Sequence, residues 1–184
     1  MAKVLIPLAE GCEELEAVTL IDLLRRAGIT VITASLTSQH QLIASRQVGL
    51  VADTLLDNVA TDEFDMLLMP GGQPGTTHLD NDHRLHALIE QLHLAGKYVA
   101  AICAAPLVLA NTGILSGRRA TCYPGTLDPQ KWPDIDIKAD AIVIDDTILT
   151  SRGPGTAMDF ALIIIELLTD KTTRDAVEAS LVRS

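Results

Sequence analysis

The segment Tyr98-Val99-Ala100-Ala101-Ile102-Cys103-Ala104-Ala105-Pro106-Leu107-Val108-Leu109-Ala110 runs from strand-forming residues straight through a cysteine into a helix. A strand that turns sharply into a helix leaves its corner residue exposed and strained above the sheet edge. Only small neighbours fit such a corner, and Ala101, Ala104 and Ala105 supply them. A cysteine placed there lies beside a helix N-terminus, whose dipole and free N–H groups lower a thiol pKa. The segment therefore predicts a reactive thiolate at Cys103. A buried structural cysteine in an alanine-rich strand would look the same, because unpaired cysteine is among the most buried residue types. The segment alone does not separate the two readings.

Outward from this corner the chain alternates strands and helices. Residues 3–8 form a short apolar run of the kind found in buried parallel strands. A helix over 13–27 follows. Glu13, Glu14 and Glu16 open it, Arg25 and Arg26 close it and Gly28 caps it, as the helix dipole favours. Its apolar residues (Leu15, Val18, Leu20, Ile21, Leu23, Leu24) cover more than one stripe. Such a helix needs a second partner besides the sheet, either a subunit contact or a neighbouring helix. A strand at 29–35 comes next, then a hairpin of 41–44 and 48–52 around Ser45-Arg46-Gln47. A strand at 65–69 ends in Pro70-Gly71-Gly72, and a helix at 82–94 carries Leu85, Leu88, Ile89 and Leu92 at i, i+3, i+4, i+7 spacing. Beyond the cysteine lie a strand at 119–122, a loop or short helix at 124–133 and a hairpin of 139–145 and 148–150 about Asp146-Thr147. The loop 151–156 opens a helix at 157–168, and a terminal helix covers 175–182. Such alternation folds as an open, mostly parallel sheet covered on both faces.

At 184 residues the chain fits one domain, 1–184, with a sizeable core. With 48% apolar and 21% charged residues it is an ordinary globule rather than a disordered chain. The net charge of −10 speaks against nucleic acid or an anionic membrane as partner, since both require basic patches. The first apolar run is too short for a signal peptide or membrane span. Three cysteines without paired spacing speak against a disulfide framework or a zinc site and fit a reducing, cytoplasmic setting. No G-x-G-x-x-G or G-K-[ST] supports a nucleotide cofactor. His83, His86, Glu90 and His93 share one helical flank but lack a completing ligand, so they read as a solvated face and no metal is expected.

In such sheets ligands bind beyond the carboxyl ends of the strands. Four loops fall there: 10–16, 70–75, 103–106 and 151–156. Gly71-Gly72, directly after a strand, can turn backbone N–H groups toward a substrate oxygen, or can be only a turn. An ionised Glu16 beside a thiolate would raise the thiol pKa. A protonated Glu16 would donate a hydrogen bond to sulfur, so the pair works if it shares one proton. Glu16 can equally be a helix N-terminal acid, which is how Glu13 and Glu14 read. Cys12 and Cys122 read as buried neutral thiols rather than resolving thiols for Cys103.

Five blocks stand in a recognisable order: Ala9-Glu10-Gly11-Cys12-Glu13-Glu14-Leu15-Glu16, Arg25-Arg26-Ala27-Gly28-Ile29, Leu68-Met69-Pro70-Gly71-Gly72, Ala100-Ala101-Ile102-Cys103-Ala104-Ala105-Pro106, and Leu149-Thr150-Ser151-Arg152-Gly153-Pro154-Gly155-Thr156. With them the chain resembles the ThiJ/PfpI superfamily, in the branch of the parkinsonism-associated protein deglycase and bacterial YajL, over nearly its whole length. The resemblance implies a flavodoxin-like three-layer α/β sandwich with a mostly parallel central sheet, like class I glutamine amidotransferases, and a homodimer through the first helix. It implies that Cys103 is the reactive, easily oxidised thiol, Glu16 its protonated partner, and the backbone N–H groups of Gly72 and Ala104 an oxyanion site. Gly71, Tyr123, Pro154 and Arg46 would line the substrate pocket, Arg46 reaching the cysteine of the other subunit.

The implied activities are glyoxalase-type hydration of methylglyoxal to lactate, removal of early glyoxal adducts from proteins and nucleotides, and a chaperone-like or redox-stress role. The implied partners are a small aldehyde or a glycated protein or nucleotide, with no cofactor. Two departures matter. Members with a histidine near the cysteine carry it after the elbow helix, where this chain has Tyr123, a poor base at neutral pH. The protease-like branch has a histidine directly after its cysteine, where this chain has Ala104, so peptidase and amidotransferase chemistry are disfavoured. The sequence also ends soon after Leu181-Val182, so a helix capping the site is expected to be short or arranged differently.

Overall fold

A computed structural model of the chain describes residues 1–60 and 64–183. In chain order its first half holds β1 (Lys3–Leu8), α1 (Glu14–Arg26), β2 (Thr30–Ser35), β3 (Gln41–Ile43), β4 (Gly49–Val51), β5 (Thr54–Leu55), β6 (Met66–Met69), α2 (Gly75–Asp80) and α3 (His83–Leu94). Then come β7 (Tyr98–Ile102), α4 (Pro106–Asn111), β8 (Arg119–Ala120), β9 (Asp136–Ile137), β10 (Ile142–Asp145), β11 (Ile148–Ser151), α5 (Ala157–Leu168) and α6 (Lys171–Ser180). Among the described residues a seven-stranded sheet has the order β10-β11-β7-β6-β1-β2-β5. Every pairing in it is parallel except that of β10, which turns back on β11.

Burial on both faces explains the unbroken apolar strands. All four side chains of β6, Met-Leu-Leu-Met, are buried. Met66 and Leu68 join the core under α1, α5 and α6, while Leu67 and Met69 join the core under α2, α3 and α4. The same period of two divides Val4, Ile6 and Leu8 from Leu5 in β1. Each such side chain, fully withdrawn from water, contributes roughly 1.5–3 kcal/mol. These two layers of helices around a mostly parallel sheet are the α/β sandwich that the alternation predicts.

Helix α1 turns Ala17, Leu20, Leu23 and Leu24 inward and packs against α5. Leu15 and Val18 stay 51% and 48% exposed. The second apolar stripe therefore has no cover within the chain.

Three expectations need correction. The terminal helix begins at Lys171 rather than at residue 175, because the Asp170 carboxylate caps it, accepting from the Thr173 N–H at 2.7 Å. The polar Thr172-Thr173-Arg174 turn carries no apolar periodicity to announce it. The strand at 119–122 shrinks to two residues in a separate ribbon with β9, since the Thr121 N–H goes to the Thr150 hydroxyl at 2.9 Å instead. Helix α2 is an added element, its Gly-Thr-Thr-His sequence being too polar to read as a helix.

The four candidate loops follow β1, β6, β7 and β11. These strands are adjacent and parallel, so their carboxyl ends share one edge.

Candidate active site

Cys103 follows the last residue of β7 with φ at +65° and is 8% exposed. A non-glycine residue in this left-handed region costs about 1–2 kcal/mol. The neighbours hold it there: its N–H donates to the Ser151 carbonyl at 2.9 Å, and its carbonyl accepts from the Tyr123 N–H at 2.7 Å. The loop after β6 presses on the same corner. A Cβ added to Gly71 would lie 2.8 Å from Cys103 Cβ and 2.9 Å from the Ala104 nitrogen. Gly72, at φ +89°, would put a Cβ 2.4 Å from the Glu13 nitrogen. Only glycine lets these loops interlock. Gly72→Ala is expected to destabilise the fold by about 2–4 kcal/mol, from backbone strain and overpacking together, read as a lower urea midpoint with an unchanged m-value.

Glu16 lies beneath the corner, 0% exposed. Its Oε2 accepts from the Gly71 N–H at 2.8 Å, and its Oε1 is buried without a hydrogen-bond partner among the described residues. The carboxyl and the Cys103 thiol are near enough for each to shift the ionisation of the other. Burial, helped by the charge of Glu13, pushes the Glu16 carboxyl up to about 7 against the pull of the Gly71 N–H. Burial and then the Glu16 charge push the Cys103 thiol up to about 12, while the N–H groups of Ala104 and Gly72 draw it down.

The lowered thiol pKa expected from the helix N-terminus is therefore corrected. Helix α4 is only six residues long, and its pull is outweighed by desolvation and by an adjacent carboxylate. The repulsion vanishes when Glu16 carries the proton, whose O–H is then free to donate to sulfur. Near neutral pH the carboxyl is thus partly ionised while the thiol keeps its proton, and a thiolate forms most readily when Glu16 holds the other proton.

Arg46, Gly72, Cys103, Ala104, Tyr123 and Pro154 line one cavity of about 360 Å³, with Glu13, Gln73 and Thr126. Gly71 and Glu16 are not in its lining; they form the layer behind the sulfur. Tyr123, 52% exposed, closes one side. Arg46 lines the cavity of its own chain. Its hairpin is tied down by Glu14, which accepts from the Ser45 hydroxyl at 2.8 Å and the Arg46 N–H at 2.7 Å. Burial alone would raise the Glu14 carboxyl, but these donors hold it below its ordinary range.

Glu13 is the residue sequence reasoning missed. Read as an acid at the helix start, it instead turns into the cavity. The available signal was its i, i+3 spacing to Glu16, which puts both acids on one helix face. Cys12 and Cys122 are buried, and burial raises both thiols, Cys12 to about 12. On α3, His83 and Glu90 face solvent while His86 approaches Asp80 at 3.5 Å.

Compared with known proteins, the chain matches the DJ-1/PfpI family model over residues 2–167. It is similar to Protein DJ-1 homolog B of Arabidopsis thaliana, 41% identical over 179 residues, which are 97% of this chain and 40% of that protein. The chain thus spans less than half the length of the Arabidopsis relatives it matches. It is 35% identical over 167 residues to the glutathione-independent glyoxalase DJR-1.2 of Caenorhabditis elegans, covering 91% of this chain and 88% of that protein. The structure of oxidized Toxoplasma gondii DJ-1 superposes with a TM-score of 0.93 at 36% identity, over 100% of both chains.

Proposed function

Because this chain belongs to the DJ-1/PfpI family, we propose that it acts on reactive 2-oxoaldehydes or their early adducts through a Cys103 thiolate paired with protonated Glu16. The observation that carries this reading is the pairing itself. A fully buried carboxyl pushed up to about 7 lies beside a thiol that the N–H groups of Ala104 and Gly72 draw down and that opens on a cavity. The name of the nematode relative supports the glyoxalase form of the chemistry.

With methylglyoxal, the sulfur adds to the aldehyde carbon and forms the C–S bond. The aldehyde oxygen takes the negative charge and faces the Gly72 and Ala104 N–H groups. Glu16 passes the shared proton to it. The C1 hydrogen then leaves as a proton and C2 gains one, through an enediol, to give the thioester of lactate. Water breaks the C–S bond and releases lactate and the thiolate. C1 is oxidised as C2 is reduced, so methylglyoxal plus water balances lactate with no external oxidant or cofactor. Purified protein is expected to make lactate from methylglyoxal without glutathione; no lactate from wild-type protein overturns this reading.

The two N–H groups aimed at sulfur also favour a second reading, a redox sensor or redox-regulated chaperone. They and the Glu16 O–H would stabilise a sulfinate at Cys103. Under mild peroxide Cys103 is then expected to oxidise before Cys12 and Cys122, followed by peptide mass spectrometry; oxidation of either of those first removes this reading. We place the protein in the cytoplasm as a homodimer through α1, supported by its exposed Leu15 and Val18. Among the described residues no helix is long and apolar enough to cross a membrane. Leu15→Glu is expected to halve the mass seen in sedimentation.

A further inference from the structure

The cavity contains a carboxylate that the steps above leave idle. Glu13 stands at the N-cap of α1, yet its side chain accepts no helix N–H. It lines the same cavity as Cys103 and is partly exposed to water. Among the described residues its side chain meets only the Ser45 hydroxyl, 3.2 Å from Oε2, whose single proton points to the nearer Glu14 at 2.8 Å. A glutamate at a helix start that neither caps the helix nor, among the described residues, forms an ion pair, and that faces a nucleophile across open space, is placed for chemistry rather than for stability.

The last step of the proposed reaction needs a base. Water must lose a proton as it attacks the thioester carbon. Glu16 cannot serve, because it is 0% exposed behind Gly71 and Cys103 and no water reaches it. Of the side chains lining the cavity, the Arg46 guanidinium offers only N–H donors, Tyr123 offers a phenol rather than a carboxylate or imidazole, and Gln73 and Thr126 have no basic atom. Histidine, the usual choice, is missing from the lining. Glu13 is what remains.

We infer that Glu13 is the general base of the hydrolytic half-reaction, resting on the reading of Cys103 as a thioester-forming nucleophile. The acid functions divide by solvent access: Glu16, dry, exchanges its proton with sulfur and the substrate oxygen, and Glu13, wet, takes the proton of the attacking water. In that step a C–O bond forms from water, the C–S bond breaks and its electron pair leaves on sulfur. The water proton passes to the Glu13 carboxylate and then to solvent.

Glu13→Gln tests this. Glutamine keeps the size and a side-chain oxygen, so the elbow stays intact, checked by a urea unfolding midpoint at the wild-type value. The variant is expected to lose about 10²-fold or more in kcat. KM should fall in proportion and kcat/KM should stay within about twofold, because acylation precedes the slowed step. The thioester should then accumulate to about one per chain. Rapid desalting removes reversible hemithioacetal, and hydroxylamine converts the remaining thioester to a hydroxamate. Glu13→Asp, which keeps a carboxylate, is expected to recover part of the lost kcat. Unchanged kcat, or a fall in kcat and kcat/KM together with no trapped thioester, overturns the inference while wild-type turnover stands. Wild-type protein that makes no lactate overturns the proposed function as well.

Discussion

Replacing Cys103 with serine is expected to lower kcat/KM for lactate formation from methylglyoxal by at least about 10³-fold. The shape of the corner survives, since serine fits where cysteine does. What is lost is the acidity match. Even pushed up to about 12 beside an ionised Glu16, the sulfur stays more acidic and more nucleophilic than an alcohol oxygen in the same place, and protonating Glu16 removes the charge that holds the thiol proton. An aliphatic hydroxyl binds its proton far more tightly and leaves the pair's proton on oxygen. Steady-state lactate assays on both proteins check this, and residual turnover within tenfold of wild type would remove Cys103 from the chemistry. The companion variant Cys103→Gly is expected to be equally inactive but more stable by about 1 kcal/mol, because glycine holds φ +65° without strain. Urea unfolding of the two variants together separates the cost of the corner from its use.

Glu16→Gln is expected to stabilise the protein and inactivate it. The carboxyl is raised from an ordinary 4.5 to about 7 in the fold, so the folded state binds this proton more tightly than the unfolded chain does. Stability is therefore fully present below about 4.5 and is lost as pH rises through about 7. Across that interval the loss amounts to about 3 kcal/mol at 1.36 kcal/mol per unit. Glutamine is neutral at every pH, keeps an oxygen for the Gly71 N–H and loses nothing. Unfolding free energies of the two proteins should coincide below about pH 4 and diverge to about 3 kcal/mol by pH 8, the variant above. Parallel curves across that range would mean that Glu16 is not held protonated by its surroundings. Lactate formation should fall by at least about 10²-fold, since the amide cannot deliver a proton to the substrate oxygen.

The correct and incorrect expectations have separate physical origins. Strands β1, β6 and β7 were legible because burial on both faces demands unbroken apolar runs, and α3 because one buried face demands a period of 3.6. The corner at Cys103 was legible from its alanines, and the tight loop at Gly71-Gly72 from its glycines, since each is a steric requirement met by neighbours in the chain. The start of α6 was not legible, because a capped polar turn leaves no apolar trace. Nor was the short β8, whose next residue found its partner 29 positions away in Thr150.

The roles of the acids divide in the same way. That Glu13, Glu14 and Glu16 begin a helix follows from local order alone. Which one ties down the Arg46 hairpin, which lies under the sulfur and which faces the open cavity depends on segments that meet only in three dimensions. The Glu16 carboxyl reaches a backbone N–H 55 residues on.

The amino-acid order by itself determined the layered α/β architecture, the strained cysteine corner and the kind of residues gathered at one sheet edge, because periodicity and side-chain size act over a few neighbouring positions. Only the tertiary structure decided where the proton of the Cys103–Glu16 pair resides and which carboxylate meets water. Charge state depends on desolvation, and desolvation is set by the layers that close over a group from distant parts of the chain.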